Sequence, residues 1–224
     1  MMKLFSGVAD FQKNVYPKHK KLFEELAGGQ SPEVLFITCS DSRIDPSLIT
    51  QAKPGDLFII RNAGNIVPPH VRDAGGVTAS IEFAIGALGI QHIVVCGHSN
   101  CGAMNGAMNP EGLKALPHVA NWLGYAEAAA HIVRERDHAS DEERIADMTR
   151  ENVLLQLQHL RTHPYVAAGL AGGRITLHGW IYDIESGAIF ACNPDSGAFE
   201  SVSDAHAAAG FRILEEQDAL HAHD

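Results

Sequence analysis

Val34-Leu35-Phe36-Ile37-Thr38-Cys39-Ser40-Asp41-Ser42-Arg43 is the stretch on which the reading of this chain turns. Its first five residues form an apolar run broken by no charge, as expected of a central parallel strand covered on both faces. The run ends on a thiol, a carboxylate and a guanidinium at alternate positions, Cys39, Asp41 and Arg43. Alternate positions on extended chain share a face. The pattern recurs where Ile93-Val94-Val95-Cys96 leads into Gly97-His98-Ser99-Asn100-Cys101-Gly102. Cys39, His98 and Cys101 make a two-thiolate, one-imidazole set that suits Zn2+, with a fourth position left for water or for Asp41.

Outward from these two strands, helices and strands alternate. Leu4, Val8, Phe11 and Val15 recur at helical spacing, Pro17 interrupts, and a second helix runs to Leu26, so residues 1–27 read as a helical arm. Ordinary packing on its own domain and packing across a dimer are both open for that arm. Asp45-Pro46 starts a short helix over 44–51, and Leu57-Phe58-Ile59-Ile60 is the next strand. Gly75-Gly76 opens another helix, and 92–96 is the third strand. Residues 105–117 read as loop and 119–137 as one helix. Ser140-Asp141-Glu142-Glu143 is a capping box for a long helix to about Thr162, and Pro164 starts a short one ending at Gly172-Gly173. Ile175 to Tyr182 is the fourth strand, turned by Glu185-Ser186-Gly187 into a partner over 188–192. Residues 200–224 read as a C-terminal helix, over 206–220, and a tail. The expectation is an α/β fold: a central, mostly parallel β-sheet with one antiparallel edge strand, flanked by helices, in a single domain over 1–224. On such sheets ligands bind beyond the carboxyl ends of the strands, where both motifs lie.

Composition bounds the function. At 224 residues, 46% hydrophobic and 20% charged, the chain is globular, and its formal charge of −10 argues against nucleic acid as a partner. No apolar run reaches the roughly 18 residues of a membrane span. The opening Met1-Met2-Lys3-Leu4-Phe5 meets Asp10 before an apolar signal core can form. The four cysteines, with two in a metal-like set and two ending apolar strands, suit a reducing cytosol better than a disulfide framework. Of thirteen histidines, only His98 has ligand spacing.

Asp41 and Arg43 are spaced to form a charge-assisted pair, which keeps the carboxylate ionised and oriented beside an activated water. A structural salt bridge at a strand end is the plainer reading. The loop to Gly102 is no phosphate loop, because Ala103-Met104 follow where Lys and Ser or Thr belong. Gly102 at a helix start still offers a backbone N–H to an anion such as bicarbonate. Cys96, inside the strand, reads as inert core.

Cys39-Ser40-Asp41-Ser42-Arg43, Arg61-Asn62-Ala63-Gly64-Asn65 and Gly97-His98-Ser99-Asn100-Cys101-Gly102, in that order, resemble the β-class carbonic anhydrases, in their bacterial, plant-like branch. The resemblance runs from about Gln30 to about Asp183. It implies one Zn2+ per chain on Cys39, His98 and Cys101, and reversible hydration of CO2 to bicarbonate and a proton by a metal-activated water. It implies that Asp41 and Arg43 orient that water, with Asp41 a metal ligand only in a closed state. It adds a substrate pocket of Gln30, Phe58, Ala63 where valine is usual, and Phe83 where tyrosine is usual. Part of that pocket comes from a partner subunit, so a homodimer or a multiple of it is implied, with the arm across the dimer. Family members that close the site carry a tryptophan three residues before the first cysteine, beside an arginine and a tyrosine that bind bicarbonate. Here that position is Phe36, with Thr38 where glycine is usual, and Arg61 and Tyr182 as the remaining matches, so an open site is expected. Two other readings stand beside this one: a hydrolase of carbonyl sulfide or carbon disulfide, and a non-catalytic zinc protein.

Overall fold

The run quoted above forms β1 (Val34–Cys39), buried along its length except at Val34. In the computed structural model, which describes residues 1–71 and 75–202, β1 lies parallel between β2 (Leu57–Asn62) and β3 (His92–His98). β4 (Thr176–Tyr182) pairs parallel with β3, and β5 (Ile189–Cys192) and β6 (Phe199–Ser201) follow antiparallel. The order is β2-β1-β3-β4-β5-β6. One antiparallel strand is expected from the sequence and two are present. β6 occupies residues assigned to the chain end, and at three residues it is too short to show a period. Its turn is closed by Asn193, whose Oδ1 accepts from the amides of Asp195 and Ser196, an Asx turn. The helix expected over 206–220 lies outside the described residues.

Alternation along the strands builds two cores. Phe36, Val94 and Cys96 face one side with Met104, Met108, Leu123, Val133 and Met148. Leu35, Ile37, Ile93 and Val95 face the other with Ile81, Ala84, Leu160 and Val166. Each Val, Leu, Ile, Phe or Met side chain among these contributes about 1.5–3 kcal/mol by leaving water. β1 and β3 are therefore fixed from both faces, which makes their carboxyl ends well-constrained places for a site.

The helices are α1 (Met2–Asp10), α2 (Lys20–Leu26), α3 (Pro46–Thr50), α4 (Gly76–Glu82), α5 (Gly102–Met108), α6 (Pro117–Leu123), α7 (Glu127–Arg134), α8 (Asp141–Leu160) and α9 (Pro164–Ala171). Two expectations fail. Residues 105–117 are not a loop: α5 buries Met104 and Met108 one turn apart. Gly106 masks that helix in the sequence, yet a Cβ there would meet Leu123 Cδ1 at 3.2 Å, so the glycine admits α6. The single helix expected over 119–137 is two, broken by a 3-10 turn over Gly124–Ala126. The arm interruption is broader than Pro17, with a π turn over Phe11–Val15 and a 3-10 turn over Tyr16–His19.

Ser140 caps α8 by accepting from the Glu143 amide, and Glu143 in turn accepts from the Ala139 amide. Further along, α8 turns polar side chains inward to hold the loop after β2. Asn152 Nδ2 donates to Gly64 O at 3.0 Å, Gln156 Oε1 accepts from the Val67 amide at 2.9 Å, and His159 Nδ1 donates to Val67 O at 2.8 Å. These groups satisfy loop backbone that the core would otherwise leave unpaired, an omission that costs about 1–3 kcal/mol per group.

Burial holds His159, His163 and His178 below the ordinary imidazole range. A base with a depressed folded pKa is protonated more readily in the unfolded chain. The stability it confers is complete above the unfolded value, about pH 6.5, and is lost as pH falls from there through the folded pKa. The urea midpoint is expected to fall between about pH 7.5 and pH 5.5, before most carboxylates titrate. A midpoint that rises over that interval contradicts the assignment.

Candidate active site

β1 delivers Cys39 and β3 delivers His98 to the same end of the sheet, on adjacent parallel strands. Asn100 then takes a left-handed conformation, φ 52°, which asparagine tolerates better than most residues. The chain turns back there, so that Cys101 returns toward Cys39. The two sulfurs lie 3.9 Å apart, and the ligand atoms of Cys39, His98 and Cys101 all lie within 4.8 Å of one another.

All three residues are buried. His98 Nδ1 lies 3.0 Å from Ser99 O; a carbonyl only accepts, so Nδ1 carries the proton and Nε2 presents a lone pair. That Nε2 is buried and has no hydrogen-bond partner among the described residues, which is costly for a polar atom unless an ion or water takes it up. The thiol of Cys39 is lowered, first by the hydrogen bond with Cys101 and against burial, with His98 and the Gly64 amide helping. That of Cys101 is raised, first by the same contact. Cys39 ionises with the help of the Cys101 thiol, Cys101 then resists ionising beside it, and a divalent cation between the two sulfurs would remove that conflict. Two soft sulfurs and an oriented imidazole fit Zn2+. The loop is tied down where Ser99 Oγ donates to Asp183 Oδ1 and accepts from the Ile184 amide.

Asp41 stands beside the donor set, held by Arg43. Arg43 Nε donates to its Oδ1 at 2.9 Å, Nη2 to its Oδ2 at 2.7 Å, and the Arg43 amide to Oδ1 at 3.0 Å. These hydrogen bonds hold the carboxyl well below the usual carboxylate range. Arg43 is itself anchored on Asn100 O at 3.1 Å. Asp41 Oδ2 remains 3.9 Å from His98 Nε2, at the mouth of the donor set. A cavity of about 610 Å³ opens beside Arg43, lined also by Ser99, Asn100 and Asp183.

Gly102 follows Cys101 directly as the first residue of α5. Phe58 and Phe83 meet at 6.1 Å between ring centroids. Phe58 pairs with Leu35, four residues back from the Cys39–Asn62 pair, a separation of about 13 Å along a strand. It is therefore well displaced from its own chain's donors. Gln30 is exposed ahead of β1. Ala63 lies in the loop that α8 holds, and its carbonyl accepts from Trp122 Nε1 at 2.9 Å. Arg61 donates to Cys39 O and Asp41 O. Phe36 packs edge-on against Trp180, and Thr38 Oγ1 donates to Cys96 O. Cys96 is buried, and its thiol is pushed up to about 12 by that burial, as inert core requires. Sequence reasoning missed Trp122, Asn152, Gln156 and the Ser99–Asp183 clasp. Only the polar spacing of Asn152, Gln156 and His159 within one helix hinted at any of them.

A family model described as carbonic anhydrase matches residues 34–189. A carbonic anhydrase of Pseudomonas aeruginosa is 50% identical over 204 residues, covering 91% of this chain and 93% of its own. Carbonic anhydrase 1 of Escherichia coli O157:H7 is 51% identical over 191 residues, covering 85% and 87%. Among solved structures, the β-carbonic anhydrase CcaA superposes with a TM-score of 0.87 at 45% identity, over 90% of this chain and 98% of that one. A tetrameric β-carbonic anhydrase of Sordaria macrospora gives 0.67 at 31%, over 88% and 93%. On these matches the chain belongs to the β-carbonic anhydrases, zinc enzymes that interconvert carbon dioxide and bicarbonate.

Proposed function

We propose that Cys39, His98 and Cys101 hold one Zn2+ per chain and that Asp41, clasped by Arg43, orients the water that attacks CO2. The observation that carries this is the Asp41 carboxylate: bidentate on Arg43, outside the donor cluster, yet 3.9 Å from His98 Nε2. Bound zinc supplies a nucleophile at neutral pH by acidifying water. Asp41 is ionised, so it can only accept; it takes a hydrogen bond from the attacking water and aims the opposite lone pair at the substrate. Arg43 keeps both carboxylate oxygens occupied and so keeps Asp41 off the metal, which is the open resting site. Phe36 and Thr38 support the same state, since a phenylalanine ring has no N–H for an anion and Arg61 is engaged on backbone carbonyls.

CO2 has neither charge nor dipole, and an apolar wall with one amide suits it. Phe58, Phe83 and Ala63 supply that wall and Gln30 the amide, with Gly102 near the anionic product. The displacement of Phe58 from its own donor set supports a wall built for a partner's site. So does exposed apolar surface: Leu4 65%, Phe5 64%, Ile59 40% and Phe83 47%. The arm helix α1 buries nothing on its own chain. A homodimer, or a multiple of it, covers both surfaces. The chain reads as one domain over 1–224, since the described strands form one sheet. Four free cysteines support a cytoplasmic home, and no described helix is long and apolar enough to cross a membrane. The purified protein with one zinc per chain is expected to accelerate CO2 hydration between about pH 6 and 9. Bound zinc without any acceleration across that range overturns the proposal.

A further inference from the structure

The peptide unit joining Ala63 to Gly64 is held at both ends. Its carbonyl accepts from the indole Nε1 of Trp122 at 2.9 Å. Its N–H donates to Cys39 Sγ at 3.3 Å. The three groups are far apart in sequence: Trp122 sits on α6, the peptide in the loop after β2, and Cys39 at the end of β1. We infer that Trp122 is a positioning residue of the metal centre, acting through the Ala63–Gly64 peptide on the sulfur of Cys39. This rests on the reading of Cys39 as a metal ligand.

Two physical effects carry it. A donor on an amide carbonyl draws electron density through the amide and makes its N–H a stronger donor, so the two hydrogen bonds reinforce each other. An N–H on a ligand sulfur withdraws density from it and sets how much charge the thiolate gives the metal. The unit is also unable to drift. Gly64 sits at φ +79°, where a side chain is strained, and a Cβ there would meet Met104 Cε at 2.8 Å and Ala103 Cβ at 3.1 Å. Its own carbonyl is pinned by Asn152 Nδ2 at 3.0 Å. With α5 closing on one side and α8 on the other, the orientation of the peptide is set by what its two ends meet. The indole ring itself packs edge-on against Tyr125, centroids 5.7 Å apart. A phenyl ring could serve that packing; the N–H serves the carbonyl alone.

The test uses the full-length protein loaded with Co2+ in place of zinc, reading the thiolate-to-cobalt charge-transfer band. Trp122→Phe removes the donor, and benzothienylalanine at the same position removes only the N–H while keeping the shape of the ring. Both are expected to move the band to longer wavelength, because a sulfur whose hydrogen bond from the Gly64 amide is weakened is easier to oxidise, and to lower kcat on the order of 10-fold. Tyr125→Leu disturbs the packing but leaves the N–H, and is expected to leave the band in place. A band unmoved by benzothienylalanine, or moved as far by Tyr125→Leu, overturns the inference. A wild-type protein that binds Co2+ without any thiolate band overturns the ligand reading of Cys39 instead.

Discussion

Cys39→Ser, His98→Ala and Cys101→Ser are each expected to lose most of the bound zinc and all useful CO2 hydration. The donors are buried and mutually oriented, and the carboxylate beside them, Asp41, is held on Arg43. A serine hydroxyl does not ionise at neutral pH, and a cation facing a single thiolate and an imidazole is undercompensated. The His98→Ala change removes the lone pair that the Ser99 carbonyl fixes in place. Thermal stability should drop as well, since metal-binding free energy is available to the folded state alone. Metal analysis beside a stopped-flow hydration assay reads both quantities. A variant that keeps full zinc and full rate removes its residue from the ligand set.

Asp41→Asn should separate binding from catalysis. Zinc stays, because Asp41 is not among the converging donors, while the rate falls on the order of 10²-fold or more, the scale for a positioned polar group. An amide can donate as well as accept, so it no longer forces the attacking water to present a lone pair to CO2. Its charge-assisted bonds to Arg43 are lost too. Arg43→Ala should behave alike for a different reason: the carboxylate, freed from its clasp, can swing into the donor set, since its Oδ2 already lies 3.9 Å from His98 Nε2. Wild-type kinetics in either variant would demote the pair to a structural salt bridge.

The fold was legible in the sequence where burial is two-sided or a terminus is signposted. Residues 34–38 and 93–96 read as covered strands because both faces of the sheet need apolar side chains. α3 and α8 read correctly because Asp45, Pro46 and Ser140 mark their starts. α5 was not legible, because Gly102 and Gly106 both lower helix propensity, while Gly106 is there for the close approach of Leu113 and Leu123. β6 was not, because its pairing is a tertiary fact with three residues to announce it. The donor set was legible because a tetrahedral zinc site demands particular residue types after strand ends, and so was the Asp41–Arg43 pair, from alternation alone. The support around the donors was not. Trp122 reaches Ala63 across 59 residues of sequence and Asn152 reaches Gly64 across 88, and nothing local to either residue records such a contact.

The regulatory geometry carries the same lesson. Arg61 and Tyr182 match an anion pocket by residue type, yet the Arg61 guanidinium is spent on the carbonyls of Cys39 and Asp41. The flank at Phe36 is filled by an edge-on contact with Trp180, centroids 6.0 Å apart. Residue type alone could not tell that the Arg61 side chain bonds the β1 terminus.

A crystal structure of the zinc-loaded protein at about pH 7.5, with the metal located by anomalous scattering, tests the central claim most directly. The account predicts two sulfurs, Cys39 and Cys101, at about 2.3 Å from zinc and His98 Nε2 at about 2.0–2.1 Å, with Asp41 still bidentate on Arg43. An Asp41 oxygen at about 2.0–2.2 Å from the zinc would contradict it.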